Sequence, residues 1–524
     1  MKTLTIVVAT VMAAAAAGAA PTETHFAFVK DLETIHQAGR RNPDVKPSGD
    51  ELVLRDGFKI AVGKSSPALV RRAAEDFADY LAVSMGVKAL VVDNPAGANL
   101  TVALDGKMKK GGHDIDVDAK GVCIRAVDER AAAQAFYRLE DRMNLRCAPY
   151  LKRGVERRAS LYSPRMSNQG YHTGVMFPDN YLGRMAHAGI DAIIINVSDA
   201  DLKPKGRDLG DVIRRAKAWG IDTYFYPNRI ATPVHPSDPG AEKVYEDTYG
   251  KLTAKYPDVK GFVFVGESVY FPSKDERVKN RGDKSNPGDR RPTQDRFACR
   301  DWGDWLRAVQ KAVRPNIPDV DILFWTYNFY WTKLEDRREM MELLPKDVKL
   351  HITFELGGVN PRPGGYMNGL ADYTIASPGP SKTFSDEAAI AKELGFKISS
   401  MVNTLGRTWD FGTAPYEPFP FQWKRRWDAM RRYHDENGLV SLMENHHYGW
   451  MPNFVSELSK EAFTEGGMDF ETHLRAIARR DFGTAADEAI EAWRELSEAI
   501  CDYSATALDQ YGPYRIARFL LSFN

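Results

Sequence analysis

The sequence predicts an α/β protein: a (β/α)8 barrel preceded by a small α/β domain and followed by a helical C-terminal region. Three observations predict it. Short apolar runs recur between residues 158 and 450, and most are separated by helical patterns. These runs tend to end in polar, acidic or aromatic residues. All ten tryptophans lie at Trp219 or later, so the N-terminal part is built from different materials than the rest.

The chain opens MKTLTIVVATVMAAAAAGAAPTE. Lys2 supplies a positive start, Leu4 to Ala16 an apolar stretch, and Ala17 to Ala20 small residues before Pro21. This is the layout of a signal peptide over residues 1–20. It implies a secreted or periplasmic protein. The apolar stretch is short of the ~20 residues a membrane span needs. No later stretch is long and apolar enough, so no span is expected in the mature chain.

Residues 25–155 form the small α/β domain. Glu51–Leu54, Phe58–Val62, Leu100–Leu104 and Val122–Val127 read as strands. Ser66–Met85 and Glu129–Met143 carry apolar residues at helical spacing.

Residues 158–450 carry the barrel. Its eight runs are Leu161–Met166 (the weakest), Ala192–Asn196, Thr223–Tyr226, Gly261–Gly266, Asp321–Tyr327, Leu350–Phe354, Lys397–Asn403 and Leu439–Met443. Helices fall at Trp302–Val313 and Asp386–Leu394. Eight such units close as a TIM barrel of ~250 residues plus insertions. An open doubly wound sheet is the competing arrangement. No Gly-rich nucleotide fingerprint follows an early strand to support it. Long loops run over Phe271–Arg296 and Gly357–Gly369, both after runs that end in Glu. Residues 451–524 read as helical, with apolar periodicity over Phe470–Arg480 and Ala485–Leu508. The apolar end at Phe519–Asn524 suggests an incomplete region or a docked terminus.

Lys plus Arg and Asp plus Glu each total 71 in 524 residues, so formal net charge is zero. A neutral chain has no bulk electrostatic reason to seek nucleic acid. Mean hydropathy of −0.42 argues against a multi-spanning membrane protein. Of the four cysteines, only Cys123 and Cys147 stand where they share a domain, and none forms a CxxC pair. Export permits a disulfide between them; free thiols fit equally well.

The chemistry is concentrated at strand ends, where barrels of this kind keep their sites. Glu267, Glu355 and Glu444 terminate strands four, six and eight. Side chains of alternate strands share a layer, so three even-strand carboxylates can meet in one mouth. Aromatic residues stand at the same ends, among them Trp325, Tyr327, Trp409 and Trp450. Sugars offer apolar C–H faces and hydroxyl edges, which aromatic platforms and carboxylates suit. Two carboxylates flanking an acetal linkage are the requirement for glycoside hydrolysis. The expected catalytic pair is Glu267 and Glu355. Glu444, Asp199, Arg165, His172 and His446, with the four aromatic residues, are expected to bind substrate. No cofactor is expected. His446 and His447 are the one hint of a metal site, and adjacent side chains diverge.

The segment ending ERAAAQAFYRLEDRMNLRCAPYL resembles the small α/β domain ahead of the barrel in family 20 β-hexosaminidases and family 67 α-glucuronidases. The order of small domain, barrel and helical tail resembles the glucuronidases too. The resemblance implies a glycoside hydrolase acting on a carbohydrate, with Glu267 in GFVFVGESVY at the general-acid position. The hexosaminidases carry Asp directly before that Glu, to orient an acetamido group; Gly266 stands there in this chain. The largest clan of retaining barrel enzymes carries its nucleophile on strand seven. That strand ends here at Asn403, with Asp410 farther on. The glucuronidases use later strands for the base, a place Glu355 fills. Uronate specificity implies cationic residues, for which Arg165, Arg229 and Arg407 are candidates. Two rival readings are a non-catalytic glycan-binding barrel and a metal-dependent hydrolase built on His446 and His447.

Overall fold

A computed structural model describes residues 32–168, 177–203, 206–228, 230–279, 297–327, 329–362, 366–369, 373–405, 408, 417–446 and 449–503. The signal-peptide reading, His172, Arg229, Arg407, Trp409, Asp410 and His447 lie outside the described residues. So does most of the Phe271–Arg296 loop.

Eight parallel strands close into a barrel: Arg165–Asn168, Ala192–Val197, Asp222–Pro227, Gly261–Val265, Asp321–Trp325, Lys349–Thr353, Ile398–Met401 and Leu439–Asn445. They are numbered here as barrel strands one to eight. Nearly every residue in them is buried, as expected for parallel strands covered on both faces. Alternation divides the side chains. Met166, Ile194, Tyr224, Tyr226, Val263, Val265, Leu323, Trp325, Met401 and Met443 fill the lumen. Ile193, Ile195, Phe225, Phe262, Phe264, Ile322, Phe324, Leu350 and Ile352 join the outer core beneath the helices. Gly261 permits close strand approach, because a Cβ there would lie 1.9 Å from the Asp321 carbonyl oxygen.

The first strand differs from the sequence reading. The apolar residues Leu161 and Tyr162 precede it and pack outside the barrel; the Tyr162 ring lies 5.2 Å from Phe463. The strand itself is the polar run Arg165-Met-Ser-Asn168, which carries no hydrophobic signature.

N-terminal to the barrel, a seven-stranded mixed sheet runs in the order Thr464–Glu465, Gly154–Ser160, Gly112–Val117, Val122–Ala126, Leu100–Leu104, Phe58–Ala61, Ala89–Val92. Its edge strand comes from the C-terminal region, which returns to pair antiparallel with Ser160 and Ala159. Two 18-residue helices, Ala68–Met85 and Glu129–Arg146, pack on this sheet. Asp128 caps the second, accepting from the Ala131 N–H at 2.8 Å, an interaction of about 1 kcal/mol. C-terminal helices cover Phe454–Ala462, Phe470–Phe482 and Ala486–Ala499. All four cysteines are free thiols, with Cys123 exposed and Cys299 buried, so no Cys123–Cys147 bridge forms. No helix among the described residues is long and apolar enough to cross a membrane.

The tryptophans divide by layer. Trp219, Trp302, Trp305, Trp423, Trp427, Trp450 and Trp493 all belong to the outer core. Trp325 alone among the described tryptophans stands in the lumen cluster. The aromatic excess therefore mostly builds the barrel–helix interface.

Candidate active site

The lumen has a neutral buried layer at His351. His351, on barrel strand six, is fully buried, and burial pushes its imidazole down to about 3. Its Nδ1 lies 2.9 Å from the Ser399 hydroxyl. Trp325 packs edge-on against it, with ring centroids 5.0 Å apart. The Trp325 indole N–H donates to Thr353 Oγ1 at 2.9 Å, which fixes the ring plane.

Above this layer four rings meet. His446 lies 5.1 Å from Trp325, 5.9 Å from Tyr226 and 5.7 Å from Tyr373, the last stacked. The Tyr373 hydroxyl and His446 Nδ1 are 2.6 Å apart. Tyr327 packs on Trp325 at 5.0 Å and is partly exposed. This is an aromatic wall at the C-terminal end of the barrel.

A β-bulge puts His446 there. Met443 pairs with Met166 and Asn445 with Ser167, so Glu444 is an extra residue in strand eight. Met443 faces the lumen, and simple alternation would send His446 outward. The bulge reverses the parity.

Glu355 stands just beyond barrel strand six and is 1 % exposed. Its Oε1 accepts from the Tyr373 backbone N–H at 2.9 Å and from Asn403 Nδ2 at 3.2 Å. Behind it lies Arg426, 3.7 Å from the same oxygen. Arg426 is itself fully buried and donates to the carbonyls of Thr374, Ser377, Pro378 and Val402. Glu355 Oε2 is buried and makes no hydrogen bond. One oxygen is thus fixed from two sides and the other is unengaged. Buried polar atoms are ordinarily satisfied, so an exception of this kind marks a functional candidate.

Glu267 follows barrel strand four on the Gly266–Ser268 turn, two residues beyond the lumen residue Val265, and is partly buried. Gly266 before it is sterically closed. A Cβ there would meet the Phe329 ring at 2.5 and 2.7 Å. An Asp at this position has no room. Asn196, the penultimate residue of strand two, adds a further buried side chain whose amide oxygen and nitrogen both lack a hydrogen bond.

The remaining expected site residues lie elsewhere. Glu444 and Arg165 are paired with each other on the helix-facing side of the barrel. Arg165 Nε and Nη2 donate to the two carboxylate oxygens, the latter at 3.2 Å, and Thr404 Oγ1 donates at 2.9 Å. The Arg165 guanidinium also lies over the Phe463 ring, 5.0 Å from its centroid. Trp450 packs in the outer core, where its backbone N–H and carbonyl both bond the Tyr181 hydroxyl. Asp199 is exposed on the turn after strand two.

The structure therefore unites Trp325, Tyr327, His446 and Glu355, and separates them from Glu444, Arg165 and Trp450. Tyr373, Asn403 and Arg426 complete the Glu355 side of the site, and Asn196 stands on strand two, across the barrel; none of them carries a motif. Asn403 lies two residues beyond strand seven and holds φ at 50°, a left-handed conformation Asn tolerates.

The sequence matches no protein-family model and no curated protein. Solved structures do match the fold. A β-hexosaminidase of Streptomyces plicatus is 13 % identical over 88 % of this chain and 95 % of its own, with a TM-score of 0.52. A family 138 enzyme targeting the pectin rhamnogalacturonan II is 12 % identical over 84 % of this chain and 69 % of its own, at 0.58. A family 115 4-O-methyl-α-glucuronidase with specificity for decorated arabinogalactans is 13 % identical over 86 % of this chain and 62 % of its own, at 0.50. The chain shares with these proteins a TIM barrel with flanking domains.

Proposed function

We propose that the chain is a secreted or periplasmic glycoside hydrolase that cleaves O-glycosidic bonds of a glycan. The observation that carries this reading is Glu355: a buried carboxylate with one oxygen held by Tyr373 and Asn403 and the other unengaged. Glu267 stands at the end of barrel strand four, two strands away around the barrel. The likeness in fold to three kinds of glycosidase supports the reading.

In this mechanism Glu267 protonates the leaving-group oxygen as the glycosidic bond breaks. Glu355 either removes a proton from the attacking water or attacks the anomeric carbon itself. Arg426 lies 3.7 Å from its fixed oxygen. Trp325, Tyr327 and Tyr373 offer apolar faces to the sugar ring, while the Asn196 amide is available to a hydroxyl. Substrate assistance by an acetamido group oriented from position 266 is not part of the proposal. Gly266 has no side chain to do the orienting, and Phe329 fills the space one would need. A glucuronidase-like or other non-acetamido substrate fits better.

The test is turnover on a panel of aryl glycosides and plant and bacterial glycans, with the product anomer followed by NMR. Glu267→Gln is expected to abolish hydrolysis with the fold intact by circular dichroism. Full activity in that variant would remove Glu267 from the mechanism. Binding of glycan without turnover by the unmodified chain would make this a lectin-like barrel instead.

A further inference from the structure

Four side chains from distant parts of the sequence meet outside the barrel. His36 lies in the segment before the sheet, Asp76 on the Ala68–Met85 helix, Glu140 on the Glu129–Arg146 helix and His187 at the end of the first barrel helix, Asp179–His187. Each offers one ligand-type atom, and the four atoms lie within 4.8 Å of one another. Their side chains are 4, 9, 5 and 16 % exposed, respectively.

The geometry points to a divalent transition-metal site, filled best by zinc, that ties the small domain to the barrel. Two imidazoles and two carboxylates are an accepted zinc donor set, with metal–ligand bonds of about 2.0–2.2 Å. Tetrahedral coordination at such lengths separates neighbouring ligand atoms by about 3.3–3.6 Å. His187 Nε2 lies 3.3 Å from Glu140 Oε2 and 2.8 Å from Asp76 Oδ2, and His36 Nε2 lies 3.1 Å from Asp76 Oδ1. His36 Nδ1 lies 4.0 Å from Glu140 Oε2, and the four ligand atoms span at most 4.8 Å, so small side-chain shifts bring the set to the spacing a zinc ion needs.

Three further features suit a cation. His187 Nδ1 lies 2.7 Å from the Gly183 carbonyl oxygen, so it donates there and leaves Nε2 as the ligand atom. His187 Nε2 and Asp76 Oδ2, though 2.8 Å apart, are not aligned as a hydrogen bond, and the buried Glu140 Oε1 has no hydrogen bond. No lysine or arginine among the described residues forms an ion pair with Asp76 or Glu140. With neutral imidazoles the set carries a charge of −2, which a divalent ion balances. A cavity of about 160 Å³ reaches the cluster and gives an ion access.

The test is metal content of the purified chain after dialysis against zinc and then against metal-free buffer, with a parallel cobalt(II) preparation. The expected result is about one zinc per chain, tetrahedral d–d absorption bands with cobalt, and a higher Tm with metal than without. Asp76→Asn and His36→Ala are expected to weaken zinc binding at least tenfold in a chelator-dye competition. His36 precedes both helices, so its variant keeps the test usable if the helix variants fail to fold. Glu267→Gln is expected to bind zinc as the unmodified chain does. Less than a tenth of an equivalent with an unmoved Tm, or undiminished binding in both ligand variants, would overturn the site.

Discussion

Glu355 and Glu444 are both strand-end glutamates buried in the same barrel, yet they are bonded in opposite ways. Glu355 lies on the lumen side, with one oxygen held and the other without a partner. Glu444 lies on the helix side, where Arg165 takes both its oxygens and Thr404 adds a third bond. In the proposed mechanism the first reacts, while the second ties strands one and eight together. What separates them is which way one side chain turns from the sheet. A buried carboxylate by itself therefore says little about function; the number of its bonds left open says more.

The contrast can be broken experimentally, most severely at Glu355. Glu355→Gln is expected to lower hydrolysis by about 10²–10⁴-fold, the range for losing a positioned acid–base group. Its Tm should move less than that of the Glu444 variant, because four carbonyl groups still hold Arg426. Steady-state kinetics paired with thermal melts would check both halves. A large stability loss with normal kcat would merge the two glutamates into one structural class.

Glu444→Gln should do the reverse. Removing one partner of a buried ion pair leaves Arg165 uncompensated and costs about 3–5 kcal/mol. Urea unfolding would measure that loss, and kcat per folded molecule should stay within about twofold of the unmodified value. A drop in kcat beyond tenfold would return Glu444 to the active site.

The smallest expected effect sharpens the comparison from the other carboxylate. Gly266→Ala should destabilise by about 1–3 kcal/mol, the usual cost of overpacking, because its Cβ meets the Phe329 ring at 2.5 Å. The turn carrying Glu267 would shift with it, so activity should fall together with stability. Phe329→Leu in the same chain should restore part of both. Unchanged melting in Gly266→Ala would show that this turn has room to spare, and an Asp there would again be admissible.

Much of this architecture is legible in the sequence. The seven apolar strands after the first are placed by their apolar runs, and the helix Trp302–Val313 has the bounds its pattern predicts. The first strand is displaced, because its residues Arg165-Met-Ser-Asn168 are polar and the apolar run before them packs elsewhere. The antiparallel strands Gly112–Val117 and Gly154–Ser160 contain no apolar run, and the first alternates over only Asp114–Val117. Of the expected site, Glu355, Trp325, Tyr327 and His446 converge on the lumen. Tyr373, Asn403 and Arg426 complete it from loops and a helix whose local sequence carries no such signal.

The sequence by itself determined most of the barrel, since hydrophobic periodicity is a local property that seven of its eight successive units repeat. It also determined which strands end in a carboxylate. Only the tertiary structure decided which of those carboxylates faces the lumen. A single extra residue in strand eight reverses the sheet parity and moves His446 inward. Only the tertiary structure, likewise, brought His36, Asp76, Glu140 and His187 within 4.8 Å. Contacts over such sequence separations are set by how two packed layers meet, and no local pattern encodes that meeting.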